Sequence, residues 1–176
     1  MRSDGLETVH MPIQIDDTDV DDRALEALLK RVYVDAGFTD AAVAEQMFAA
    51  DAVRARGTLL TVTAPAMNAL IGMVIVVSPG SPAHRIAGPG EAEMHLLAVS
   101  PEHRNTGAGR QLVDAAVQVA RSKGLANMVL WTQTTMLDAQ RLYLRAGFSR
   151  SPQRDFERAG RAFLVYEMAL AQGLPR

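Results

Sequence analysis

The sequence predicts a single α/β (α+β) domain, on three observations. Some stretches repeat apolar residues at helical spacing, while others alternate or run continuously, as strands do. Between 91 and 132 a strand, a glycine-bearing turn, a helix and a second strand follow one another, which implies a right-handed parallel crossover. Strand candidates at 59–63 and 70–77 are separated by Pro65-Ala66-Met67-Asn68, which reads as a hairpin turn. A chain of 176 residues is long enough for one domain with a real core.

Residues 1–11 lack periodicity and read as a disordered lead-in; the domain is expected over 12–170, with 171–176 as a frayed tail. Ile13-Gln14-Ile15 alternates as a short first strand. Thr18, Asp19 or Asp21 is placed to cap a helix over 22–35, whose Leu25, Leu28, Leu29, Val32 and Tyr33 form one face and which Gly37 ends. Thr39 or Asp40 would cap a second helix with Val43, Met47, Phe48 and Val53 on one side. The strand at 70–77 is apolar on both faces, as a central strand would be. Residues 78–90 form a Pro- and Gly-rich loop longer than the usual connection, either a solvated excursion or the rim of a pocket. A strand at 91–99, a helix at 108–121 on Leu112, Val113, Ala116, Val117 and Ala120, and a strand at 127–132 follow. A short helix at 138–145 stops at Gly147; then come a strand from Phe148, a polar loop at 151–161 and an alternating final strand at 162–170.

An apolar fraction of 48% and a charged fraction of 22% are those of an ordinary globular protein. A net charge of −2 offers no basic surface for nucleic acid and no polybasic membrane anchor, and it is too small to choose an acceptor's charge. The longest apolar run, at 69–77, is too short for a membrane span, and the acidic N-terminus lacks a signal core. His10, His84, His95 and His103 lack metal-ligand spacing, so no metal is expected. The absence of cysteine excludes a disulfide and a thiolate nucleophile, and fits a cytoplasmic protein.

Chemistry concentrates at 91–129. Arg104, Gly107 and Gly109 form Arg-x-x-Gly-x-Gly between a strand and a helix N-terminus. First-turn N–H groups lack an internal partner, the helix dipole favours negative charge, and glycine admits a phosphate close to the backbone. No Gly-Lys-Ser/Thr follows, so this is not a Walker loop, and the dinucleotide pattern is not met either. On spacing alone, a tight turn with close packing also accounts for the glycines.

Glu93-x-x-x-Leu97-Ala98-Val99-x-Pro101-x-x-Arg104-x-x-Gly107-x-Gly109 resembles the acetyl-CoA-binding motif of the GNAT superfamily of N-acetyltransferases. Ala139-Gln140-Arg141-Leu142-Tyr143-x-x-Ala146-Gly147-Phe148 resembles that family's second signature, at the usual distance. The resemblance runs from Ile13 to roughly Leu170, with its motifs in the second half. It implies a mixed, mostly antiparallel central sheet with helices on both faces, and a V-shaped gap between the two parallel strands for pantetheine. It also implies transfer of an acetyl group from acetyl-CoA to a primary amine of an unidentified small-molecule, peptide or protein acceptor. Without a cysteine, and with no serine that has a visible base partner, transfer is expected to be direct. Dimers are common in the family, so a homodimer is an expectation as well. The alternative is a non-catalytic acyl-CoA-binding or regulatory module on the same fold; a nucleotide-binding protein is a third reading.

The resemblance assigns roles residue by residue. Backbone N–H groups of Asn105, Thr106, Gly107, Ala108, Gly109 and Arg110 would wrap the coenzyme A pyrophosphate, with Arg104 adding charge. Leu97 and Val99 would pair with the pantetheine arm, and the N–H of Leu97 or Ala98 would face the thioester oxygen. Ala139 and Tyr143 are carried over as further coenzyme contacts. A lysine-like amine, with a pKa of about 10.4, is almost wholly protonated at pH 7, so a base or a water relay is needed. Glu93 matches the family's glutamate base, and strand alternation would put Glu91, Glu93 and His95 on the face of Leu97. Its plainer role is pairing with an arginine or facing solvent; His95 either shares the relay or is structural. Tyr143 matches the tyrosine that protonates the leaving thiolate, though it also lies on the apolar face of its helix. Two departures stand out. Met136 replaces an asparagine that often helps hold coenzyme A, and Asn105 replaces a common glycine.

Overall fold

The apolar run at 69–77 becomes the centre of the sheet, with Ile71 and Met73 to Val77 buried on both faces. The computed structural model describes residues 11–15, 19–64 and 69–170. The expected Thr18 cap, the turn at 65–68, the tail and all of the lead-in except Met11 lie outside these residues. Met11 departs from the expected lead-in: it is buried, and its N–H donates to Gln111 Oε1 at 3.1 Å.

The elements are β1 (Ile13–Ile15), α1 (Asp22–Leu29), α2 (Ala41–Met47), α3 (Ala50–Arg54), β2 (Thr58–Ala64), β3 (Ala69–Val77), β4 (Glu91–Val99), α4 (Ala108–Ser122), β5 (Asn127–Gln133), α5 (Leu137–Ala146), β6 (Ser149–Arg150), β7 (Phe156–Arg158) and β8 (Arg161–Ala169). Among the described residues the sheet order is β1-β2-β3-β4-β5-β8-β6, with β7 paired to β8. Only β4 and β5 run parallel; every other pairing is antiparallel. The mixed, mostly antiparallel sheet is therefore as expected.

Two apolar clusters cover the two faces. On one side Leu112, Val113, Ala116 and Ala120 of α4 pack with Leu60, Val74, Val76 and Met128 from the sheet. On the other, Leu25 and Leu29 of α1, Phe48 and Val53 meet Met73, Ile75 and Val77. A central strand can alternate side chains into both cores only if both of its faces are apolar, and this one meets that condition.

Three local expectations need correction. The helix expected at 22–35 is α only to Leu29; a π turn follows over Lys30–Val34, closed by the Asp35 N–H on Lys30 O at 3.1 Å. The second helix is two, because Glu26 Oε1 accepts the Ala50 N–H and starts α3 afresh, and Val43 is left 49% exposed. The polar loop at 151–161 contains β7, which pairs with β8 through Phe156 and Phe163. Of the proposed caps, Asp21 accepts the Arg23 N–H at 3.0 Å, whereas Asp40 precedes α2 without a side-chain cap. No helix among the described residues is long and apolar enough to cross a membrane.

Candidate active site

The gap begins where strand pairing stops. β4 and β5 are paired from Glu91–Asn127 to Met94–Leu130 and no further. Just beyond, Leu96 adopts φ +52°, a left-handed conformation rare for a branched side chain, and the β3–β4 register shifts. The bulge reverses the alternation. Leu97 and Val99 pack with the α4-side cluster, as Ala92 and Met94 do, while Leu96 and Ala98 belong to the other side. The expectation that Glu93 and His95 share the face of Leu97 is therefore wrong, because alternation carries across a strand only while the strand is regular. Ser100 N–H donates to Ile71 O at 2.8 Å, so Ala98, two residues earlier, also turns its backbone groups toward β3, and Leu97 and Val99 turn theirs toward the gap. The Leu97 carbonyl accepts the Tyr33 hydroxyl at 2.8 Å. Leu97, not Ala98, therefore has its N–H on the gap side.

At the wide end lies the glycine loop. Gly107 is the N-cap of α4, at φ +92° with no side-chain cap, so the first-turn N–H groups of Ala108, Gly109 and Arg110 have no helical acceptor. Asn105 takes φ +63°, which explains why glycine suits that position and why asparagine, tolerant of left-handed backbone, can stand there. A Cβ on Gly109 would lie 3.1 Å from Leu142 Cδ2 and 3.6 Å from Val99 Cγ2, so close packing of α4 on α5 and β4 is one reason for this glycine. Thr106 Oγ1 donates to His103 O at 2.6 Å and stiffens the turn. Arg104 is exposed. Arg110 donates to Asp114 and to Arg145 O, so its guanidinium is occupied and its backbone N–H is what it offers. Ala139 is partly buried beside Leu142 against the α4 core.

The narrow end opens into a cavity of about 960 Å³, walled by α2, α3, the 78–90 loop, β4, β5 and the β7–β8 hairpin. The loop is its rim, and two carboxylates, the buried Glu93 and the partly buried Glu91, hold it there. Glu93 is 0% exposed. Its oxygens accept the N–H groups of Arg85 (2.8 Å), Ile86 and Ala87 (2.6 Å), and meet His95 Nε2 at 2.7 Å. Glu91 accepts Gly88 N–H at 2.7 Å and Arg154 at 2.8 Å, and Arg154 also donates to Ile86 O. Burial would raise the Glu93 carboxyl, but the hydrogen bonds from His95 and the loop N–H groups outweigh it and bring the pKa down to about 2. Such a carboxylate is a weak proton acceptor, and its lone pairs are already used.

His95 is different. With Nε2 on Glu93, its Nδ1 is buried without a partner among the described residues, and its ring stands edge-on to Trp131 at 4.7 Å. Burial lowers its pKa more than Glu93 raises it, so the imidazole is neutral at pH 7. The arrangement fixes the tautomer and leaves a basic nitrogen beside the cavity.

Tyr143 lines the cavity from α5, packed against Phe148 and Tyr166 at 6.1 and 6.0 Å. Burial, with Tyr166 adding to it, pushes the phenol up, so it stays protonated and able to donate. Met136 also faces the cavity, offering an apolar surface in place of an amide. Thr132 Oγ1, on the same wall, is buried without a partner among the described residues. Tyr33, Arg56 and Trp131 also line the cavity, and no sequence signal points to them: Tyr33 reads as a helical core position, and nothing local marks the other two.

Comparison with known proteins agrees with this geometry. The model of the acetyltransferase (GNAT) family matches residues 23–148. N-acetyltransferase 8F1 of Rattus norvegicus is 33% identical over 87 residues, 49% of this chain and 38% of that protein. The chain thus spans well under half the length of the curated relatives it matches. A GNAT-family acetyltransferase from Desulfovibrio desulfuricans has the same fold at a TM-score of 0.70 and 20% identity, over 92% of this chain and 100% of that one. An acetyltransferase of Bacillus subtilis, solved in complex with CoA, follows at 0.65 and 19% identity, over 92% and 100%.

Proposed function

The chain belongs to the acetyltransferase (GNAT) family, and from that premise we propose that it moves the acetyl group of acetyl-CoA directly to a primary amine. The observation that carries the reading is the splayed gap itself. It joins a glycine-capped helix N-terminus at one end to a cavity holding a neutral imidazole and a protonated phenol at the other.

The N–H groups at 105–110 and Arg104 bind the pyrophosphate, and pantetheine lies along the free edge of Leu97 and Val99. The Leu97 N–H donates to the thioester oxygen as negative charge develops there. The acceptor's ammonium first loses one proton to solvent, and the neutral amine nitrogen then attacks the thioester carbon. His95 Nδ1, directly or through one water, takes the amine proton, and Glu93 acts behind it as a positioning residue that fixes the tautomer and stabilises the imidazolium. The C–S bond then breaks, Tyr143 gives its proton to the thiolate, and an amide and free coenzyme A leave. The proton on His95 returns to the phenolate through solvent. The base role expected for Glu93 thus passes to the imidazole it holds, since a carboxylate at about pKa 2 cannot compete for the proton.

Calorimetric titration with acetyl-CoA, beside Gly107→Glu, tests the donor half. Binding that is lost in the variant is expected, and no binding by the wild type would sink the reading. Ping-pong kinetics or a trapped acyl-enzyme would sink direct transfer.

A further inference from the structure

We infer that the acceptor is an α-amino-acid-like amine bearing a carboxylate and an aromatic or similarly broad apolar body. The carboxylate lies on Arg56 and Arg85 and the body lies along Trp131, Phe156 and Phe163. This rests on the acetyl-transfer reading above.

The cavity wall carries four arginines, Arg56, Arg85, Arg158 and Arg161, against a single carboxylate, Asp40. Asp40 is taken, 3.5 Å from Arg161, and Arg161 also donates to Phe38 O at 2.8 Å. The Arg56 side chain makes one hydrogen bond among the described residues, to Met47 O at 2.9 Å, and neither it nor Arg85 has an ion-pair partner there. Glu93, the nearest buried negative charge, is fully engaged by the loop and His95.

Burial disfavours the charge on Arg56, and the nearby Arg85 guanidinium adds to the effect. Two unpaired guanidiniums facing one cavity are a poor arrangement without an anion and a good clamp with one. A polycationic acceptor would be repelled. Both arginines also act on His95, opposing its protonation. A carboxylate bound between them removes that opposition just when His95 must accept a proton. Arg56, Arg85 and His95 line the same cavity, so an acceptor whose carboxylate is close to its amine, as on one α-carbon, would engage all three.

Away from this corner the wall is aromatic. Trp131 meets His95 at 4.7 Å and Phe156 at 6.2 Å, and Phe156 stacks on Phe163 at 5.0 Å. This row of rings begins at the proposed base and suits a flat apolar side chain.

The test is a matched set of acceptors: L-phenylalanine, L-phenylalaninamide and 2-phenylethylamine, with acetyl-CoA and a thiol reagent that meets no cysteine background. Beside it, N-acetyl-L-phenylalanine is titrated into the CoA-loaded protein. The acid should exceed both neutral-headed amines in kcat/KM by roughly tenfold or more, although the amide has the less basic amine and would win without a carboxylate clamp. Arg85→Glu, altering an exposed side chain whose backbone N–H still holds Glu93, should reverse the preference, and Arg85→Lys should retain part of it. Equal or better use of the amide, or no binding of N-acetyl-L-phenylalanine by protein that does bind CoA, would overturn the inference. If acetyl-CoA itself does not bind, the acetyl-transfer reading falls, and the same titration on the free protein still decides the carboxylate clamp.

Discussion

The two ends of the gap are built by opposite means. At the end proposed to bind the coenzyme, the working groups would be backbone N–H groups from six consecutive residues, 105–110, and side chains there are exposed or turned elsewhere, as Arg110 is toward Asp114. At the end proposed for the acceptor, the cavity is lined by side chains from separate segments: Tyr33 beyond α1, Arg56 after α3, Arg85 in the loop, His95 on β4, Trp131 on β5 and Tyr143 on α5. A backbone site needs only a local conformation, so substitutions that keep that conformation do little. A side-chain site depends on the whole fold holding its parts, so it is sensitive to distant packing.

The largest effect should come from Glu93, which ties the loop rim to β4. Glu93→Ala strands three loop N–H groups and His95, and should cost about 3–5 kcal/mol of stability, read by denaturant or thermal unfolding. A loss under about 1 kcal/mol would mean that the loop holds without its carboxylate. The same group sets an acid limb. Its carboxyl is lowered from an ordinary 4.5 to about 2, so its stabilisation is complete above about pH 4.5 and is lost as pH falls toward 2. His95, also lowered, adds a decline that starts when pH drops below the ordinary imidazole range, because the unfolded chain binds that proton more readily. Glu93→Gln should flatten the limb between pH 4.5 and 2.

Next in size are the two side chains proposed to transfer protons. His95→Gln and Tyr143→Phe should each lower kcat by about 10²-fold while acetyl-CoA affinity measured by calorimetry stays close to wild type. An equal loss of acetyl-CoA affinity would show that the two ends are not separable. The smallest effect is expected at Arg110→Ala, which removes an exposed i,i+4 pair worth about 0.3–0.5 kcal/mol and leaves the backbone donor in place. If this variant lost most of its acetyl-CoA affinity, the coenzyme end would depend on side chains after all.

The difference between the two ends also decides what could be read in advance. The fold class, the β4–α4–β5 crossover, the β2–β3 pair, the buried stripe of α4 and the glycine loop are carried by local periodicity and by residues a few positions apart, so the sequence by itself determined them. The π turn after Leu29, the split of the second helix and β7 escaped it, because each is fixed by a partner far along the chain, such as Glu26 on Ala50 or Phe163 beside Phe156. Glu93 was legible as a residue but not in its role. That depended on a bulge at Leu96 and on a loop folding its N–H groups onto the carboxylate. The net charge of −2 gave no hint of a cavity wall with four arginines and one aspartate. A chain total sums charges wherever they lie, whereas recognition depends on which of them the tertiary structure brings to face one another across a few ångströms of low-dielectric space.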